Sequence, residues 1–156
     1  ADHASRMSRA NVLRNMPITE SEITDVLIGT ALQGENINIL SNGRIIISSV
    51  QQNLTGGQWI AWQRCHGNST FASSYGKEGA GLVGNDFKGM GPVPVGASAN
   101  EAVMFAEVAY EYTPLFPLFT QFVPDKRFSE VAAFNIRESR DLTQIYPVSG
   151  VTPKRC

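Results

Sequence analysis

The stretch INILSNGRIIISSVQQ, residues 37–52, decides the fold. Two β-branched runs flank Asn42-Gly43, and both residues of that dipeptide tolerate the positive φ that a tight hairpin turn demands. The pattern predicts a hairpin centred there, with side chains alternating between two faces on either side. Further on, Thr55-Gly56-Gly57-Gln58 turns the chain into QWIAWQRC, a strand expected to place Ile60 and Trp62 on one face. Three strands joined by short turns make an antiparallel meander.

Upstream the period is helical. Thr19-Glu20-Ser21-Glu22 has the form of a capping box, in which the threonine hydroxyl accepts from the Glu22 amide and the glutamate reaches back. Ile23, Val26, Leu27, Thr30 and Ala31 then recur as one face of an amphipathic helix, with Gly34 placed to stop it. Before Pro17 a looser stripe of Ala4, Met7, Val12, Leu13 and Met16 is also helical. The opening ADHASRMSRA reads as mid-helix, which implies a segment further upstream.

Downstream of the strands, residues 66–100 are rich in glycine and serine and show little periodicity. A connection this long inside a small domain is functional or ordered by partners. Its GKEGAGLVG is not a phosphate-binding loop, because no Gly-Lys-Ser/Thr follows the glycines. Residues 101–112 alternate again, with Ala102, Met104, Ala106, Val108, Tyr110 and Tyr112 on one face. Val103, Phe105, Glu107, Ala109 and Glu111 occupy the other, and the even-numbered face is expected to pack on the helix carrying Ile23, Val26 and Leu27. RFSEVAAFNIR, residues 127–137, supplies a last strand with Phe128, Ala132, Phe134 and Ile136 together. The fold class expected is α+β: an N-terminal helix packed on an antiparallel sheet of about four to five strands, with a long Gly/Ser-rich loop. One domain covers 1–156, a helical segment over 1–34 leading into a β-rich body over 35–156.

Composition narrows the function. The 156 residues are 42% hydrophobic and 17% charged with a net charge of −1, which describes a globular chain without the basic excess of a nucleic-acid binder. No apolar run is long enough to span a bilayer. Of the two cysteines, Cys156 ends the chain and Cys65 lies in a strand pattern, and neither has haem or zinc spacing. An even pair with one member holding the chain end points to a disulfide in an oxidising compartment, the alternative being two free thiols. Two sequons, at Asn53 and Asn68, carry weight only in a eukaryotic source.

A catalytic set is not apparent. Glu107 and Glu111, four residues apart on a strand, would stand about 13 Å apart, beyond the separation of paired glycosidase carboxylates. The simpler reading is a solvated strand face. His3 and His66 accompany no Gly-x-Ser-x-Gly element, a Cys65-His66 dyad would be sequence-adjacent, and Asp86 and Asp141 lack an EF-hand context. The mixed-charge runs at 125–127 and 137–141 read as solvated surface. The expectation is no enzyme and no cofactor.

Several blocks taken in order carry a resemblance: GRIIISSVQQN, WIAWQRCHG, YGKEG, MGP, EAVMFAEVAYEYTPLF and EVAAFNIRESRDLTQIYP. Together they resemble the periplasmic part of TadE-like minor pilins (pseudopilins) of the bacterial tight-adherence (Tad/Flp) pilus system, over about residues 43–147. The resemblance implies a pilin-like body and no catalytic or cofactor-binding residues. It also implies partners among other pilins and Tad assembly proteins. Members of that family carry an N-terminal hydrophobic helix that anchors them in the inner membrane, and this sequence begins where its polar continuation would lie. The implied location is the inner membrane with a periplasmic domain, the extracellular pilus, or both. A second class of function is an adhesin-type module binding a surface ligand through the glycine-rich loop.

Pro114 and Pro117 keep TPLFPLFTQF from pairing as a strand while concentrating Leu115, Phe116, Leu118, Phe119 and Phe122. A loop so apolar either folds back on the core or forms a contact patch for another subunit.

Overall fold

A computed structural model describes residues 17–112, 127–136 and 144–156. The helical stripe expected before Pro17, the apolar loop carrying Leu115, Phe116, Leu118, Phe119 and Phe122, and the charge run at 137–141 lie outside the described residues.

Helix α1 spans Glu20–Gln33 and opens on the expected capping box. Thr19 Oγ1 accepts from the Glu22 amide at 3.3 Å, and the Thr19 amide donates to Glu22 Oε2 at 2.9 Å. Its inward stripe buries Ile23, Leu27 and Ala31. Gly34 caps the helix as expected, and glycine is needed there because a Cβ would lie 2.6 Å from the Ile39 side chain.

The predicted hairpin at Asn42-Gly43 does not form. After a 3₁₀ turn over Glu35–Ile37, Asn38 takes a left-handed conformation (φ 52°), and Ile39–Asn42 make a single helical turn, α2. Gly43, with φ −140°, is extended rather than turned, and it begins β1, Gly43–Gln52. Ile39 is only 4% exposed, so burying this side chain beneath the sheet outweighs the turn preference of the dipeptide. Glycine is needed at 43 for close approach, because a Cβ would meet the Ala109 carbonyl at 2.6 Å.

Strand β2 spans Gln58–His66, β3 Ala102–Glu111 and β4 Arg127–Ile136. All neighbours pair antiparallel in the order β2-β1-β3-β4. Among the described residues the sheet therefore has four strands and is not a simple meander, because the chain leaves β2 at one edge and rejoins beside β1 on its far side. The run Ile45-Ile46-Ile47 marks this arrangement, since a strand apolar without alternation is covered on both faces.

One face carries α1. Its core joins Ile23, Leu27, Ile39, Ile45, Ile47, Trp62, Ala102 and Met104, with Val108, Tyr110 and Phe134 against it. The even-numbered face of β3 thus packs on the helix as the alternation predicts. The opposite face holds a second core of Val50, Ile60, Met90, Ala97, Val103 and Phe105. The expected shared face of Ile60 and Trp62 is overturned here. A bulge between Ser49 and Val50 pairs Ser49 with Trp62 and Val50 with Ile60, leaving Ala61 as the extra residue and sending Ile60 to the second core.

Candidate functional site

Between β2 and β3 the chain forms no regular element, and it is held against the second face by side chains from several strands. Phe71 lies under the Arg127 guanidinium, 4.3 Å from the ring centroid. Tyr75 meets Phe105 edge-on with centroids 5.4 Å apart. Glu107, read from sequence as solvated, is 7% exposed. Its carboxylate accepts from Ser73 Oγ at 2.5 Å and from the Ser74 amide at 3.2 Å. This contradicts the solvated-face reading for Glu107, because the connection covers the odd-numbered side of β3. Glu111, at the strand's end, is exposed, so the two carboxylates occupy different environments and form no acid–base pair.

Asn53 fixes the far end of the same segment. Its Nδ2 donates to the carbonyls of Gly81 and Gly84, both at 2.8 Å, and its Oδ1 accepts from the amides of Thr55 and Gly57. Gly81 shows why glycine is used: it has φ 76°, and a Cβ would stand 2.2 Å from the Gln58 carbonyl.

The outer edge of β2 is closed by three devices. The Ile60 amide donates to the Ala80 carbonyl at 2.9 Å, and the Gln63 amide donates to Glu78 Oε2 at 2.9 Å. The Cys65 amide donates to the Lys154 carbonyl at 2.8 Å, bringing the C-terminal tail alongside. Cys65 and Cys156, 91 positions apart in sequence, are joined by a disulfide with Cα atoms 5.0 Å apart. This resolves the alternative of two free thiols.

A buried ion network lies behind that edge. Arg64 Nη2 donates to Glu20 Oε1 at 2.6 Å, and Nη1 donates to Glu78 Oε2 at 3.0 Å. Arg155 of the tail reaches the other oxygen of Glu78 at 3.2 Å. Arg64 and Glu20 are 4% and 2% exposed. Burial works to lower the Arg64 pKa, but the hydrogen bond and charge of Glu20, with those of Glu78, outweigh it and hold the value above the ordinary one. The Arg64 guanidinium therefore joins helix, edge strand and connection, and Glu78 extends the network to the tail. Sequence reading missed this network because its members lie far apart in the chain. The only local signal was charged residues set among apolar neighbours in α1 and β2.

His66 ends β2, two residues beyond Arg64. Its pKa is lowered, first by burial and then by Lys154, whose Nζ lies 3.3 Å from Nδ1. It helps line an apolar hollow of about 250 Å³ with Ile28, Leu32, Ile39 and Leu40. Among the described residues, no group of three or more His, Cys, Asp or Glu side chains could hold a metal ion. No described helix is long and apolar enough to cross a membrane.

Fold and site together define a disulfide-closed α+β domain whose described residues place helix α1 and an irregular cover on opposite faces of a four-stranded antiparallel sheet. Compared with family models, curated proteins and solved structures, the chain matches none.

Proposed function

We propose that this chain is the extracytoplasmic domain of a TadE-like minor pilin, a subunit that takes part in assembling, priming or tipping a Tad/Flp-type pilus and so supports adhesion and biofilm formation. The observation that carries the reading is the ordered set of sequence blocks from GRIIISSVQQN to EVAAFNIRESRDLTQIYP. It is supported by a helix leading into an antiparallel sheet and by a disulfide, the bond expected of a domain in an oxidising compartment. Partners under this reading are other pilins and Tad assembly proteins, with the apolar segment of Leu115, Phe116, Leu118, Phe119 and Phe122 as a contact loop. The full-length protein would be held in the inner membrane by a preceding hydrophobic helix.

The test is quantitative proteomics of surface filaments sheared from the source cells, set against the membrane fraction. The expected result is this chain in the filaments at a small fraction of the major pilin. Its absence from both fractions would overturn the reading.

A second reading, an adhesin-type module, is favoured by Leu82 and Val83. They are 56% and 82% exposed on the segment that Asn53 clamps in place. Cutting out part of the connection is a poor test, because Tyr75, Glu78 and Phe87 support the sheet from within it. Leu82→Ser with Val83→Ser leaves those supports intact. Loss of surface attachment with filaments still present would favour the adhesin.

A further inference from the structure

We propose that the outer edge of β4 pairs antiparallel with the same edge of a second copy of this chain, with Val131 on the twofold axis. The inference goes beyond the pilin reading and does not depend on it.

β4 is the last strand of the sheet, and among the described residues no strand lies beyond it. It keeps register with β3 over its whole length without a shift, and no described strand pairs with its far edge. Proteins blunt such an edge with proline, lysine, a bulge or a covering segment. RFSEVAAFNI contains no proline, glycine or lysine. Phe128 is 58% exposed, and Ala132 and Ala133 are exposed as well.

Any extended peptide could meet an edge strand, but the side chains choose the occupant. FSEVAAF, residues 128–134, places a phenylalanine three residues to either side of Val131. Antiparallel self-pairing about that residue sets Phe128 against Phe134, Ser129 against Ala133, and Glu130 against Ala132, each twice. Arg127 falls opposite Asn135, so no like charges meet. Even-numbered residues then face even-numbered residues, which makes the helix-bearing faces of the two copies continuous across an eight-stranded sheet. Both Phe128–Phe134 pairs lie on that face, where cross-strand aromatic pairs stabilise a sheet. Sliding the axis to Glu130 would place the two Glu130 carboxylates opposite each other and lose the aromatic pairs. A closed twofold contact of this kind stops at the dimer.

The geometry makes a sharp test. A residue on the axis meets its own copy at the Cα separation of about 4.5–5.5 Å found across antiparallel pairs, within the range of a disulfide. Val131→Cys, oxidised in air with a copper catalyst, should give a covalent dimer. Ser129→Cys, whose opposite residue is Ala133, should not. Sedimentation equilibrium on the parent chain and its Ala132 variants, with the Cys65–Cys156 disulfide intact, reads the charge pairing. Ala132→Lys, placed opposite the partner's Glu130, should lower the dimer dissociation constant, and Ala132→Glu should raise it, each by roughly three- to tenfold. Residue 132 is exposed, so both variants should keep the far-UV spectrum and melting midpoint of the parent. A chain that stays monomeric at every concentration, equal cross-linking at 129 and 131, or a shift of the same sign for both Ala132 variants would overturn the proposal.

Discussion

The two edges of the sheet are built in opposite ways. β2 has its outer amides matched by Ala80, Glu78 and Lys154, a disulfide beside it, and a buried arginine behind it. β4 is exposed along much of its length, and no described strand lies beyond it. The contrast separates what holds the monomer together from what is left over for contact. Stability should be concentrated on the β2 side, and substitutions at the exposed residues of β4, such as Ala132, should leave the monomer almost unchanged.

The largest effect should come from opening the clasp. Cys156→Ser, or reduction of the parent, removes a closed loop of 91 residues. On chain-entropy grounds this should lower the unfolding free energy by about 4–5 kcal/mol, read as a shift of the denaturant midpoint. Arg64→Ala comes next. It leaves Glu20 buried without its cation, and breaking a buried pair from one side costs about 3–5 kcal/mol. Equal losses from Arg64→Ala and from a change on β4 would break the comparison.

Glu107 lies on β3, nearer the open edge. Glu107→Ala strands the Ser73 hydroxyl and the Ser74 amide beneath the cover, for an expected loss of about 1–3 kcal/mol. His66 should give a smaller, pH-dependent effect. Its folded pKa lies below the ordinary imidazole value of about 6.5, so folding favours the neutral ring. That contribution is complete above the ordinary value and is lost as the pH falls below it toward the folded pKa. The melting midpoint of the parent should therefore drop on acidification from pH 7 toward pH 5 more steeply than that of His66→Gln. The smallest effect is expected on the open edge, where Ala132→Lys should change monomer stability by no more than about 0.5 kcal/mol, measured in dilute solution.

Much of this architecture was legible locally. The Thr19-to-Glu22 spacing placed the start of α1, and alternation gave β2, β3 and β4 together with the face of β3 that packs on the helix. What was not legible depended on residues distant in sequence. Asn42-Gly43 carries the strongest hairpin signal in the chain, yet burial of Ile39 converts it to a helical turn running into an extended strand. The bulge opposite Ser49 and Val50 separates Ile60 from Trp62, and nothing in QWIAWQRC marks it. Glu107 reads as solvated because Ser73, which covers it, lies 34 residues away. The disulfide was legible because there were only two cysteines to pair. The Glu20–Arg64–Glu78–Arg155 network was not, since its members meet only after the helix, the edge strand and the tail have docked.

Hydrogen exchange resolved to single amides, run over a concentration series, tests the contrast between the edges most directly. The account predicts slow exchange at Ile60, Gln63 and Cys65 at every concentration. Along β4 it predicts fast exchange at the outward amides when the protein is dilute and protection that grows as it is concentrated. Protection of all β4 amides that is already complete in dilute solution would mean that the chain closes this edge itself, and the division into a clasped and an open edge would fail.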